Sequence, residues 1–351
     1  MERNPTADDW RRAIYIDFEG RMYERASFLG VASEGSWSAS IIEPVLWPLA
    51  ERGHSLGEVK AAEAAEVFRE LQRKSVDEQR LIVAWSEREE REILETPGLT
   101  QDERDWWAGN VVNGLDVARG WSKKLSLPIE PKKSNRGLTN KNPLSSYLEV
   151  IGYDVPAGLG SGLAAQRILH VRKQLSAKTK FGDITKMTRT AKSKWTRGLG
   201  HNYHDCIGLS QVMLILQQWM DFSDIFLKTE LTVEIDGTTR PLLEVVGNRR
   251  RAFHVITAWN PGGAEASHEA NAAADSEILA EIQSRRLETY RATGSDPESD
   301  HKEGGWIVSG IKEADAVELG RRFGQIAIFR VEQGKLTVVG CQGPWRRSRT
   351  L

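Results

Sequence analysis

Two carboxylates stand two residues apart in the apolar stretch Ile14-Tyr15-Ile16-Asp17-Phe18-Glu19-Gly20. A β-strand alternates its side chains between two faces, so Asp17 and Glu19 share one face while Ile14, Ile16 and Phe18 take the other. Like charges so placed repel unless one is protonated or a cation lies between them. Hard oxygen donors of this kind suit Mg²⁺ or Mn²⁺. An edge strand with one wet face would carry the same alternation. Further acids occur in Glu87-Arg88-Glu89-Glu90-Arg91-Glu92 and in His201-Asn202-Tyr203-His204-Asp205. His201 precedes Asp205 by four residues, so on a helix the two share a face, and an imidazole suits proton transfer near neutrality. Asp116, in Gly114-Leu115-Asp116-Val117, is a supporting acid or a helix cap. A zinc reading of His201, His204 and Cys206 is set aside, because the paired ligand spacing of structural zinc sites is missing. Cys206 opens an apolar helix and reads as a small core residue.

The elements that must position these groups follow from periodicity. Strands are expected at 13–19, 26–32 and 37–42, then a helix at 55–74 capped by Ser55 with Glu58 three residues on. The apolar run Leu81-Ile82-Val83-Ala84-Trp85 is a strand that feeds an acidic helix at 87–94. Residues 111–125 read as helix or as strand plus helix, and 127–142 as a basic surface loop. Helices are expected at 144–151, 163–175, 184–197 and 207–219. Further on, a strand at 231–235 enters an Asp-Gly turn and pairs with 242–246. A strand at 252–258, helices at 271–292 and 314–323, and a hairpin of 326–331 with 336–341 complete the chain.

The 351 residues are enough for about two domains. With 48 Lys+Arg against 49 Asp+Glu, net charge names no partner. The distribution is more telling. Between 167 and 197 stand Arg167, Arg172, Lys173, Lys178, Lys180, Lys186, Arg189, Lys192, Lys194 and Arg197, against the single acid Asp183. Such a run favours a polyanion through phosphate contacts, although a solvated helix face would also be basic. Two distant cysteines do not make a disulfide framework. An N-terminus without the apolar core of a signal peptide and the lack of a long apolar run predict a soluble, cytoplasmic protein without a membrane span.

On these residues the N-terminal two-thirds, about 13–219, resembles the DEDD 3′-5′ exonucleases of the ribonuclease H-like superfamily. Asp17-Phe18-Glu19 is similar to the first family motif, D-x-E on the first strand. The strand and helix of 81–93 are similar to the second, with Glu90 as the best match and Glu89 as a rival. His201 to Asp205 resembles the third. His201 departs from the usual histidine spacing by one residue but matches the tyrosine variant, and the second motif carries Glu where most of the family has Asp. The resemblance implies an α/β fold with a mixed sheet and flanking helices, followed by a smaller α+β domain. The implied boundaries are 1–227 for the exonuclease-like domain, 228–250 for a hairpin linker and 251–345 for the second domain.

The activity so implied is phosphodiester hydrolysis on single-stranded DNA or RNA by a two-metal mechanism with Mg²⁺ or Mn²⁺. Asp17 would bridge the ions, Glu19, Glu90 and Asp205 would complete their ligands, and His201 would act as base. Arg172 to Arg197 would guide the strand. The alternative is a catalytically inactive module of the same fold that binds nucleic acid or protein, in a mobile-element or phage-defence system.

The last third carries Thr257-Ala258-Trp259-Asn260-Pro261 and Phe323-Gly324-Gln325-Ile326-Ala327. These stretches resemble the signature of a small bacterial domain family of unknown function over about 251–340. Trp259, Asn260, Asn271 and Gln325 could bind a base by stacking and hydrogen bonding, or form turns and caps. This domain is expected to contact substrate or a protein partner.

Overall fold

The computed structural model describes residues 5–20, 24–133, 139–140, 143–159, 163–177, 182–246 and 251–350. The chain divides into two compact units, Met1–Gly120 with Ile129–Gln217, and Trp121–Pro128 with Gln218–Leu351.

The first unit opens with helix α1 (Ala7–Arg12), capped by Thr6, and continues through strands β1 (Ile14–Gly20), β2 (Ala26–Ser33) and β3 (Ser36–Ile41). Strand β4 (Glu58–Ala61) precedes helix α2 (Ala64–Asp77), and β5 (Ile82–Ala84) precedes α3 (Glu87–Leu94). Helix α4 (Gln101–Asn110), strand β6 (Val111–Asn113) and helix α5 (Gly114–Lys124) follow. The six strands form a mixed sheet in the order β4-β3-β2-β1-β5-β6. β1 pairs antiparallel with β2 and parallel with β5. The strand bearing Asp17 and Glu19 is therefore central, not an edge.

Both faces of β1 are covered. Ile14, Ile16 and Phe18 pack with Val67, Phe68 and Leu71 of α2 and with Trp107 of α4. The expected 55–74 helix is shorter at its start, because residues 58–61 pair with Ser38–Ile41 as an edge strand and the cap position is Glu63. A Cβ at Gly57 would overlap the Trp37 carbonyl, so this close approach requires glycine.

In the 127–142 segment, β7 (Lys132–Lys133) and β8 (Thr139–Asn140) make a short ladder. Helices α6 (Leu144–Val150) and α7 (Ala164–Leu175) lead to α8 (Arg189–Lys228), one 40-residue helix. It fuses the two helices expected at 184–197 and 207–219. His201 to Asp205 lie inside it, where no proline or helix-ending glycine motif interrupts the hydrogen-bond ladder.

The second unit is built on an eight-stranded antiparallel sheet, β10-β9-β12-β13-β11-β14-β15-β16. Its strands are β9 (Glu230–Ile235), β10 (Thr238–Pro241), β11 (Phe253–Ile256), β12 (Glu288–Ser295), β13 (Lys302–Ser309), β14 (Ala327–Glu332), β15 (Lys335–Gly340) and β16 (Arg346–Thr350). Between them run α9 (Leu242–Val246), α10 (His268–Ser284) and α11 (Glu313–Arg322). Here two expectations are corrected. Residues 242–246 are a short helix rather than the partner of 231–235, a place taken by β10. The helix expected over 271–292 ends at Ser284, and 288–295 pair with β13 on one side and β9 on the other. Tyr290 and the β-branched Thr289 and Thr293 suit a pleated strand better than a helix. Within 228–250, β9 and β10 form a hairpin at one side of this sheet. Cys206 and Cys341 are free and buried. Among the described residues no helix is long and apolar enough to cross a membrane.

Candidate metal centre

The face of β1 opposite the apolar core looks toward α8. Glu19 is 7% exposed and His201 5%. His201 Nε2 lies 3.5 Å from Glu19 Oε1 and 3.3 Å from Asp205 Oδ2, and one ligand atom from each of the three residues lies within 4.8 Å of the others. The i, i+4 spacing on α8 brings His201 and Asp205 to one face, and the period of two on β1 brings Glu19 to meet them.

Asp17 is tied to the same helix by an amide. Asn202, fully buried, donates Nδ2 to Asp17 Oδ2 at 2.8 Å and to the Asp17 carbonyl at 3.0 Å. Its Oδ1 accepts from Trp37 Nε1 at 3.2 Å. Room for this amide comes from Gly30, which faces Asp17 across the β1–β2 ladder and where any Cβ would overlap the Asn202 side chain. Reading charges alone passed over Asn202. Glycine within a strand was the available signal, because it marks a close approach.

The second-motif acids separate. Ser86 caps α3, and Glu89 Oε2 accepts from the Ser86 amide at 2.9 Å and its hydroxyl at 2.7 Å, a capping box that turns Glu89 inward. Glu89 is buried, and its charge is felt by Asp17, Glu19 and Asp205. Glu90, one position on, is half-buried and contributes to none of these. Asp116 is exposed and pairs with Arg119 at 3.1 Å in the first turn of α5, away from the cluster.

Burial raises the carboxyls of Asp17 and Glu19 well above the usual range, with Glu19 adding to Asp17 and Asp205 adding to Glu19. Asp205 is pushed up to about 7 by burial and then by Glu89. Burial holds the His201 imidazole below its usual value. At neutral pH that ring is therefore neutral, and its approaches to Glu19 and Asp205 are not ion pairs. Arg88 and Arg167 lower Glu19 electrostatically, yet among the described residues no Lys or Arg comes within ion-pair distance of Asp17, Glu19, Glu89 or Asp205. Arg167 is held by the carbonyls of Gly158 and Arg197. His204 instead meets the Tyr153 hydroxyl at 3.0 Å, and Cys206 is wholly buried with its thiol pushed up by burial.

The basic run divides too. Arg172 is committed to carboxylates, at 2.6 Å from Glu24 and 2.6 Å from Glu43, so it is not a free phosphate ligand. Lys186 pairs with Asp183 at 3.1 Å. Lys173, Arg189 and Arg197 are exposed, Lys192 and Lys194 are half-buried, and Lys178 and Lys180 lie outside the described residues.

In the second unit, Trp259, Asn260, Asn271 and Gln325 come together, and most of their polar groups hold a loop. Asn260 N donates to Asn271 Oδ1 at 2.9 Å, Asn271 Nδ2 returns to Asn260 Oδ1 at 3.1 Å, and Gln325 Nε2 donates to the Trp259 carbonyl at 2.9 Å. This network holds Asn260 in the left-handed region, at φ 49°.

Residues 256–328 match a family described as a protein of unknown function (DUF3293). No curated protein and no solved structure matches the chain.

Proposed function

We propose that the first unit is a metal-dependent nuclease that hydrolyses phosphodiester bonds, as a 3′-5′ exonuclease on single-stranded DNA or RNA. The observation that carries this reading is that Glu19 and Asp205 meet at His201, that Asp17 and Glu89 lie close enough for the four carboxyls to act on one another, and that among the described residues no Lys or Arg is in ion-pair contact with them. Buried carboxylates that raise one another are stable as anions only beside a cation. The element order supports a ribonuclease H-like sandwich: three antiparallel strands, an edge strand and helix, then a strand parallel to the first.

The donor set fits Mg²⁺ or Mn²⁺, since Asp17, Glu19, Glu89 and Asp205 offer hard oxygens. When bound, two such ions stabilise the charge on the attacking and leaving oxygens of an in-line displacement. The chain's own residues do the rest. Asn202 fixes the Asp17 carboxylate, Trp37 fixes Asn202, and Ser86 orients Glu89. His201, kept neutral by burial, takes up the proton released by the attacking water. Lys173, Arg189, Lys194 and Arg197 draw in the phosphate backbone.

End-labelled single-stranded oligonucleotides incubated with Mg²⁺ or Mn²⁺ test this directly. Wild type is expected to shorten them from the 3′ end, Asp17→Ala to leave them intact, and His201→Ala to slow cleavage by about 10²–10⁴-fold. Equal degradation by wild type and Asp17→Ala removes the proposal. Tight binding unaffected by chelator, with no cleavage, selects the inactive binding module.

A further inference from the structure

The second unit encloses a cavity of about 410 Å³, within the size range of small-molecule sites. One part of its wall is apolar, with Phe222, Phe226, Leu231, Val255, Ile326 and Phe329. The Phe226 and Phe329 rings meet edge to face with centroids 6.0 Å apart. Such a wall suits a flat or bulky apolar body.

The polar part is built from the loop that carries the Trp-Asn-Pro signature. Glu303 Oε1 accepts from Asn260 Nδ2 at 2.7 Å, and His301 Nε2 lies 3.2 Å from the same oxygen. Among the described residues Glu303 Oε2 has no partner. Gln325, only 6% exposed, faces two backbone carbonyls with Nε2, those of Trp259 at 2.9 Å and Phe323 at 3.4 Å. That arrangement fixes which end of the amide is nitrogen and leaves Oε1 as an acceptor at the cavity wall, with no hydrogen bond among the described residues. Glu265 and Asp296 add negative charge, and no Lys or Arg lines the cavity among the described residues. Arg291, close to Gly304, is bound to Asp275 at 2.5 Å and stacked on Trp306. Apart from the Thr229 hydroxyl and the His301 ring, the unmet side-chain groups of the wall are therefore acceptors and anions.

We propose that this cavity binds a small organic cation, an apolar or aromatic body carrying an amine or amidine, whose donors meet Glu303 Oε2 and Gln325 Oε1 while the body lies against the phenylalanines. An anionic ligand such as a phosphate or carboxylate is disfavoured by Glu303, Glu265 and Asp296. The site is independent of the carboxylate cluster in the first unit.

Benzamidine, benzamide and benzoate share one shape and differ in charge, so titration calorimetry of the full chain with each isolates the electrostatic requirement. The expected order is benzamidine tightest, benzamide at least tenfold weaker, and benzoate without measurable binding. Glu303→Gln is expected to bring benzamidine down to the level of benzamide, and Gln325→Leu to weaken it severalfold. Asp17→Asn leaves benzamidine binding unchanged, which separates this cavity from the acidic cluster of the first unit. Because the wild-type series needs no variant, the test survives a variant that fails to fold. Equal binding of benzoate and benzamidine, no binding by any of the three at millimolar concentration, or loss of benzamidine binding in Asp17→Asn overturns the proposal.

Discussion

A glycine and an asparagine decide how well Asp17 is held. Gly30 has no Cβ because the Asn202 amide occupies that space, and the amide in turn anchors the Asp17 carboxylate. Gly30→Ala must displace Asn202, so it is expected to destabilise the protein by about 1–3 kcal/mol, the range for overpacking a core. Combining it with Asn202→Ala relieves the clash, and a double-mutant cycle from denaturant midpoints should show the pair losing less than the sum of the singles. Strict additivity contradicts the close approach. Glu89 and Glu90 differ by about 100° of rotation on α3, which takes one inward and the other to a half-wet flank. Under the nuclease reading, Glu89→Gln lowers the rate of oligonucleotide cleavage at least as much as Glu19→Gln, whereas Glu90→Gln leaves it near wild type. At this scale Asp17 and Glu19 were legible from a period of two. The choice between neighbouring glutamates was missed, although Ser86-x-x-Glu89 carries the capping-box spacing that turns Glu89 inward.

Strands and helices carry the next layer of consequence. β11 lies between β13 and β14, every one of its four residues is buried, and His254 at 1% exposure has neither ring nitrogen bonded among the described residues. Burial lowers its pKa, with Glu313 pulling the other way. An unfolded histidine titrates near 6.5, so below that pH the unfolded chain takes up a proton that the folded one refuses. The stability associated with neutral His254 is thus present above about pH 6.5 and is lost as pH falls through the lower folded value. Urea midpoints measured at pH 7.5, 6.5 and 5.5 should fall less steeply in His254→Leu than in wild type. Parallel slopes would show that the imidazole titrates as if exposed. Three elements were misread from the sequence for one reason, that pairing partners outweigh local propensity. Residues 58–61 become strand because Ser38–Ile41 offer an open edge, 288–295 because β13 and β9 flank them, and 242–246 coil because β10 has already taken the ladder beside β9.

Over the whole chain, two units with separate cores bear two chemically distinct candidate sites. A ligand that binds only the folded state raises stability by mass action, by about 2.7 kcal/mol at a hundredfold excess over Kd. Scanning calorimetry should therefore resolve a transition that moves up with Mn²⁺ and one that moves up with benzamidine, with the Mn²⁺ response lost in Asp17→Asn and the benzamidine response lost in Glu303→Gln. A single transition that responds to neither ligand would leave both sites without support.

Alternation and helical spacing were enough to mark Asp17, Glu19, His201 and Asp205, because which residues share a face depends only on the local period of the backbone. The basic run was legible from the distribution of charge, and the C-terminal signature from its resemblance to a domain family. Tertiary structure alone decided that β1 is central, that Arg172 is already paired, and that Gln325 keeps one acceptor free at a cavity. Each of those outcomes depends on groups distant in sequence meeting across strands and helices, and a local pattern carries no information about such meetings.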